Sequence, residues 1–507
     1  MRLNAGASSK NPVSSIAFRS DGLGAGDDGQ KAGVMATSSK ANGDVTFWDL
    51  NGGGRKMGVL RGAHTPPSTA HGPVAGGISR IEFLVGQPVL VTSGLDNALK
   101  SWIFDETPFS PIPRILHSRS GHAAPVCALE FLPSDADGAD AGGKWLMSTS
   151  RDRSFWGWSL RRDGQSTELS QGNVRKKAKK MGILSSGGAS MDSSMSLEDL
   201  RAPKITCIAC SLNRDGGMGA VPGEKAIWAA AGKGKGPTAA EKSGMTGWES
   251  VVTGHAGDNK ARTWYWGRKR AGRWAFETGD GANVTSVAMS PCGTFALVGS
   301  AAGGIDMFNL QSGLHRQRFP VRLTQKQAKT LQLQGSGRAV NGDFDDQPKK
   351  WSRGQGKHTK AVTGIVVDNL NGMVVSSGAD GKVKFWEFST GLLLHEMDWY
   401  PMTSVTGIRH HRPSDLIALS CDDSSIRVVD METKKLVREL WGCKGQISDF
   451  AFSNDGQWLV AASADNIIRV WDLPTGHLID AMKLQSQCNA LAFSNTGEYL
   501  ATATEDN

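Results

Sequence analysis

This sequence predicts an all-β chain folded as a β-propeller, and three observations carry that expectation. Six stretches, SGLDNALKSW, AGDNKARTW, SSGADGKVKFW, LSCDDSSIRVV, AASADNIIRVW and, more loosely, STSRDRSFWGW, place an aspartate turn a few residues before a strand ending in Trp or Val. SKANGDVTFWD near the start and SAAGGIDMFNL in the middle bring the strand ends to eight, at Trp48, Trp102, Trp158, Trp264, Phe308, Trp386, Val429 and Trp471. The intervals from Trp264 to Phe308, Trp386 to Val429 and Val429 to Trp471 are 44, 43 and 42 residues, the length of four short strands with tight turns. The 63 glycines and 16 tryptophans follow from the same pattern, the first serving turns and the second recurring at strand ends. One unit is being copied, and such a unit cannot bury both its faces alone, so the copies must stack into a ring with broad exposed rims. A scaffold is therefore the default expectation.

The unit resembles the WD40 repeat, and its copies can be followed in order. PVSSIAFRSDG alternates apolar and polar residues as a first strand, GVMATSSKANG carries a second into a turn, and DVTFWDL completes a third. The next copy, ISRIEFLVGQPVLVTSGLDNALKSWIFD, turns at Asp96-Asn97. TPFSPIPR is too Pro-rich for a central strand and reads as the connection to a third copy, SGHAAPVCALEFLP to SLRRDG. ITCIACSL, WESVVTGHAGD and KARTWYWG give a fourth, and NVTSVAMSPCGTFALVGSAAGGIDMFNL a fifth. Three regular copies begin at AVTGIVV, SVTGIRHH and ISDFAF, and NALAFSNTGEYLATATEDN opens one more that stops at its turn. The wide intervals require insertions, placed at about 164–203, 231–246 and 321–357 in polar stretches without periodicity.

Composition excludes several classes. No run of eighteen or more apolar residues occurs and the first residues lead into polar sequence, so membrane insertion and secretion are not expected. The expected compartment is cytosol or nucleus. Seven scattered cysteines form no disulfide framework, and Cys207 and Cys210, a C-x-x-C without a second pair, read as core thiols in an apolar strand. Neither a metal nor a cofactor is expected. A net charge of +8 favours an acidic partner such as nucleic acid.

Two kinds of residue stand out. His122 with Asp152 and His358 with Asp380 suggest a hydrolase triad, but they recur copy after copy, and a catalytic group is needed only once. The reading preferred for Asp96, Asp152, Asp258, Asp380, Asp423 and Asp465 is therefore structural: each accepts backbone amides in a tight turn, alongside His122, His358 and the strand tryptophans Trp102, Trp264, Trp386 and Trp471. The fifth copy carries Gly303-Gly304 in place of the aspartate, which leaves its network incomplete. The second kind is basic. Arg161, Arg162, Arg175, Lys176, Lys177, Lys179 and Lys180 form a cation-rich loop suited to phosphates or nuclear import. Arg262, Arg268, Lys269, Arg270 and Arg273 interleave with Trp264, Tyr265, Trp266 and Trp274 as a basic-aromatic surface for RNA.

GQPVLVTSGLDNALKSWIFD, SRDRSFWGWSLRRDGQSTELSQG, ARTWYWGRKRAGRW, VTSVAMSPCGTFALVGSAAGGIDMFNLQSGLHR and DNIIRVWDLPTGHLID together resemble the tandem-propeller WD40 subunit of the UTP-B (Pwp-type) subcomplex of the small-subunit processome. The resemblance implies a tandem-propeller architecture with the first ring incomplete: residues 1–114 as the last two blades of a first propeller, residues 115–507 as a second seven-bladed propeller with its final blade truncated. It implies a nucleolar, non-catalytic scaffold acting in pre-rRNA processing and small ribosomal subunit biogenesis. Its partners would be other WD40 subunits of that subcomplex, the U three snoRNP and pre-rRNA, with no small-molecule substrate. The alternative is a generic WD40 peptide-binding adaptor of a chromatin or ubiquitin pathway. A propeller enzyme would need carboxylates or histidines converging once on the central channel, and no non-repeating set of that kind is visible in the sequence.

Overall fold

The computed structural model describes residues 13–39, 43–64, 77–106, 108–133, 145–172, 201–211, 249–322, 351, 353–398 and 403–506. Among these there is no α-helix; the described elements are β-strands and two 3-10 turns, at Asp163–Gln165 and Arg412–Ser414. The strands form nine antiparallel sheets whose strand order follows the chain. Sheets one (13–60) and two (78–120) belong to one compact unit; sheets three (126–168), four (205–277), five (284–319), six (362–398), seven (405–440), eight (447–483) and nine (488–504) belong to the other. The first eight have four strands each and the ninth has two. The units divide between Ala124 and Pro125, because Arg114–Ser120 is the outer strand of sheet two and pairs with Ala98–Ile103.

All eight strand ends read from the sequence lie on third strands, for example Trp386 in Lys382–Glu387 and Trp471 in Ile467–Asp472. Their neighbours show why both faces of a sheet are apolar. In sheet six Val383 and Phe385 face a core shared with sheet seven, while Trp386 one residue on faces a core shared with sheet five. The period-2 alternation of a strand thus feeds two different cores. In the second unit each neighbouring pair of sheets encloses one such cluster, from Trp145, Phe155 and Trp264 between three and four to Phe450 and Trp471 between seven and eight.

The seam between sheets nine and three closes the ring. Leu129 packs with Ala490, Ala492 and Ala503. Asn495 Nδ2 donates to the Leu132 carbonyl at 2.6 Å, and Arg151 pairs with Glu505 at 3.0 Å. Seven first strands therefore surround one central channel, and Cys127, Thr206, Thr285, Thr363, Thr406, Ser448 and Asn489 each contribute to its wall.

Candidate functional site

The ring has two chemically different rims. Turns joining second to third strands, and the loops that lead into first strands, share one rim; turns joining first to second and third to fourth strands share the other.

The first rim of the ring holds the repeated polar networks, and the same turns of sheet two, in the other unit, hold theirs. Six turn aspartates accept the backbone N–H two residues on, Asp96 from Ala98 at 3.2 Å, Asp152 from Ser154 at 2.8 Å, Asp258 from Lys260 at 3.1 Å, Asp380 from Lys382 at 3.2 Å, Asp423 from Ser425 at 2.9 Å and Asp465 from Ile467 at 3.3 Å. Beneath them, the indole N–H of Trp102 donates to Thr92 and that of Trp386 to Ser376. The same hydroxyls meet Nε2 of His64 and His358, whose Nδ1 atoms face Asp96 and Asp380 at 2.8 and 3.0 Å. Proton logic fixes the chain: Nδ1–H donates to the carboxylate, the hydroxyl donates to Nε2 and accepts from the indole. His64 and His358 are buried, and burial holds the His358 pKa below its ordinary value despite the adjacent carboxylate. His122 is likewise buried, with its carbonyl accepting from the Asn97 amide.

Where no histidine precedes the sheet, arginine substitutes. Arg427 reaches back to Asp423 at 3.0 Å and Arg469 to Asp465 at 2.6 Å, both guanidinium side chains being almost fully buried. Sheet four carries both devices, with Arg262 on Asp258 at 2.8 Å and His255 bonded to Thr253 and the Pro203 carbonyl. Sheet five departs from the expected incomplete network. Asp280, from the loop leading into the sheet, accepts the Ser300 hydroxyl at 2.7 Å and pairs with Arg318 at 3.1 Å, while Asp306 binds the Gly279 amide and His315. The carboxylate that Gly303-Gly304 lacks comes from elsewhere in the chain, a replacement that local pattern matching cannot see.

The second rim carries basic turns. Arg161 and Arg162 are exposed in the third-to-fourth-strand turn of sheet three, and Arg268 and Lys269 occupy the equivalent turn of sheet four, with Arg270 the first residue of the strand that follows. Arg175, Lys176, Lys177, Lys179 and Lys180 lie outside the described residues. Of the aromatic residues between the sheet-four cations, Trp264, Tyr265 and Trp266 are buried, at 1%, 7% and 0% exposure, and Trp274 is half-buried. Lys269 places its ammonium 3.4 Å from the Trp266 ring centre and 4.0 Å from that of Trp145. Arg273 is held by Glu249 through Nε and Nη2, both at 3.1 Å. Arg268 and Arg270 lean over Tyr265, at 5.1 and 5.9 Å, and Arg270 is exposed.

The channel holds charged residues that the repeat pattern does not announce. All seven first strands have the same register irregularity after their first residue, which makes their positions equivalent. The fifth position reads Glu130, Ala209, Ala288, Val366, Arg409, Ala451 and Ala492; the third reads Ala128, Cys207, Ser286, Gly364, Gly407, Asp449 and Ala490. Three charges thus interrupt small or apolar positions. Arg409 Nη2 meets Asp449 Oδ1 at 2.7 Å and its Nε donates to the Phe450 carbonyl, while Asp449 Oδ2 accepts the Leu491 N–H at 2.9 Å. Aligning the seven first strands position by position makes all three visible in the sequence. No group of three or more His, Cys, Asp or Glu side chains able to hold a metal occurs among the described residues.

A ring of seven antiparallel sheets with aspartate turns, buried histidines and strand tryptophans defines a WD40 β-propeller protein, a class that recognises partners with its rims and channel. Residues 237–507 match the model of the WDR36/Utp21 second beta-propeller domain and residues 1–105 that of the WDR36/Utp21 first beta-propeller. The chain belongs to the WDR36/Utp21 family. It is 37% identical over 94% of its length to "U3 small nucleolar RNA-associated protein 21 homolog" of Schizosaccharomyces pombe, and 34% identical over 93% to "U3 small nucleolar RNA-associated protein 21" of Saccharomyces cerevisiae. To "WD repeat-containing protein 36" of Homo sapiens it is 31% identical over 94%. It spans 41%, 40% and 42% of these relatives' own lengths.

Proposed function

We propose that this protein is a non-catalytic WD40 scaffold of the small-subunit processome, acting in the nucleolus in pre-rRNA processing and small ribosomal subunit biogenesis. The observation that carries the reading is the match along 94% of the chain to a relative named for association with U3 small nucleolar RNA. Its propeller rims would bind other WD40 subunits of the UTP-B subcomplex. The two units would be the last blades of a first propeller and a second, seven-bladed one. The rim bearing Arg161, Arg162, Arg268 and Arg270 supports contact with pre-rRNA or snoRNA phosphates, since neighbouring sheets there both present cations. The distribution of buried polar groups favours binding over catalysis, because the repeated histidines and aspartates spend their hydrogen bonds on turns and hydroxyls within each sheet.

The test is affinity purification of the tagged full-length protein from nuclear extract, probing for U3 RNA and the five-prime external spacer of pre-rRNA. Recovery of both at moderate salt is expected. A folded protein that recovers neither would overturn the processome assignment and leave a WD40 adaptor for other partners.

A further inference from the structure

The interrupted positions of the channel have unequal chemistry. Asp449 is fully used, by Arg409, by its own neighbour's N–H at Phe450 and by the Leu491 N–H. Arg409 is turned onto Asp449 and the Phe450 carbonyl. Glu130 has neither fate. No described cation lies within ion-pair distance of its carboxylate, which instead meets the Cys210 thiol, with Sγ 3.9 Å from Oε1. Glu130 also marks the waist of the channel. Two cavities, of about 380 Å³ and about 660 Å³, both include Leu129, Glu130 and Arg409 in their walls. The smaller opens toward the rim of the turn aspartates, and its wall is otherwise mostly hydroxyl, amide and apolar groups from the first strands. The larger opens toward the basic rim and includes Arg412, which is exposed.

We propose that the channel of the seven-sheet ring is a binding site for a lysine or arginine side chain carried by a partner polypeptide, with the Glu130 carboxylate as its acceptor. The cation approaches from the aspartate-bearing rim, toward which the smaller cavity opens, and descends past the hydroxyl-lined wall. From the second to the fifth position of a first strand is about 10 Å, a depth that an extended basic side chain spans when the loop bearing it enters the channel mouth. At the waist the cation meets a carboxylate partly withdrawn from water, whose pKa burial raises; a charge-assisted bond there restores the ionised form and gains from the reduced dielectric. Arg409 and Arg412, whose positive charges both act on Glu130, oppose the incoming charge, and Arg412, on the far side of Glu130, tunes the affinity without touching the ligand. The site requires only the ring itself and stands whichever larger assembly the protein joins, so failure of the processome assignment leaves it intact.

The probe is the tripeptide acetyl-Gly-Arg-Gly-amide, titrated into the full chain by calorimetry, with acetyl-Gly-Gln-Gly-amide and acetyl-Gly-Glu-Gly-amide as controls and a short oligouridylate as competitor. Saturable binding of the arginine peptide alone is expected, weakened about tenfold or more by Glu130→Gln and strengthened several-fold by Arg412→Ala. Binding unchanged in Glu130→Gln, or binding of the glutamate peptide or the oligouridylate in the channel, would overturn the proposal. If Glu130→Gln does not fold, Arg412→Ala decides: equal or lower affinity for the arginine peptide sinks the idea.

Discussion

His358 Nδ1 lies 3.0 Å from Asp380 Oδ1, and the two form the polar hinge on which sheet six is pinned to its own turn. Burial pushes the Asp380 carboxyl up, but the His358 hydrogen bond and the amides of Thr359 and Lys382 outweigh it, and its pKa falls well below the usual carboxylate range. Asp380→Ala leaves a buried imidazole N–H without an acceptor. A loss of about 2–3 kcal/mol in denaturant unfolding is expected, with a similar loss for Asp96→Ala beside His64.

Acid stability should depend on His255. Burial lowers its pKa from 6.5 to about 4, outweighing the hydrogen bond from Nδ1 to the Pro203 carbonyl at 2.7 Å, which favours the charged form; the neutral ring also accepts the Thr253 hydroxyl at Nε2. The unfolded chain binds the proton more readily, so this contribution is complete above pH 6.5 and is lost progressively as pH falls toward 4, amounting to about 3 kcal/mol at most. Unfolding followed from pH 7 to 4 should lose less stability in His255→Gln than in the unaltered chain. Equal slopes would show that His255 does not titrate there.

Gly303 and Gly281 separate backbone strain from collision. Both have positive φ, at +82° and +70°. A Cβ at Gly281 meets nothing within 4 Å, whereas one at Gly303 collides with the His358 carbonyl in the loop leading to the next sheet. Gly281→Ala should cost about 1 kcal/mol. Gly303→Ala should cost more than twice that in the same thermal melt, since the colliding atom is backbone.

Lys269 and Arg270 are sequence neighbours with different expected roles. Lys269→Ala removes an ammonium packed on two tryptophan rings and should lower stability by about 1–2 kcal/mol while leaving RNA retention unchanged. Arg270→Glu combined with Arg161→Glu and Arg162→Glu should do the reverse, weakening RNA retention in a salt-dependent manner with little change in melting.

Charge reversal of Arg175, Lys176, Lys177, Lys179 and Lys180 to Glu should reduce nuclear accumulation or U3 RNA recovery with the melting temperature unchanged. Loss of fold in that variant would reassign the segment to structure.

Third strands were legible because most end in a tryptophan, several closed against a hydroxyl on the second strand, as Trp48 is on Thr37 and Trp158 on Ser148, and the strand ends recur at 42 to 44 residues where no insertion intervenes. Outer strands were not. Arg114–Ser120 and Leu478–Lys483 are exposed at every residue, so neither shows the alternation that betrays a half-buried strand. The turn aspartates were legible as a set because their role is local, an amide two residues away. Asp280 was not, since it serves a turn some twenty positions downstream. Glu130, Arg409 and Asp449 were hidden for a different reason: each is a single departure from small or apolar residues, and attention to what repeats passes over what does not.

The seam between sheets nine and three joins Asn495 to Leu132 and Asn489 to Val126 across 363 positions of chain, whereas every other seam of the ring is made by neighbours in sequence. Closing it is the costliest loop of the fold, so it forms after the local hairpins and sheet pairs are in place. It is also built on alanines where the seams between sheets three and four and between seven and eight hold tryptophan and phenylalanine, and less apolar area secures it. Amide exchange along Cys488–Phe493 and Val126–Phe131 will therefore outpace that of the equivalent strands opposite, and the ring will open there first, like a bracelet at its clasp.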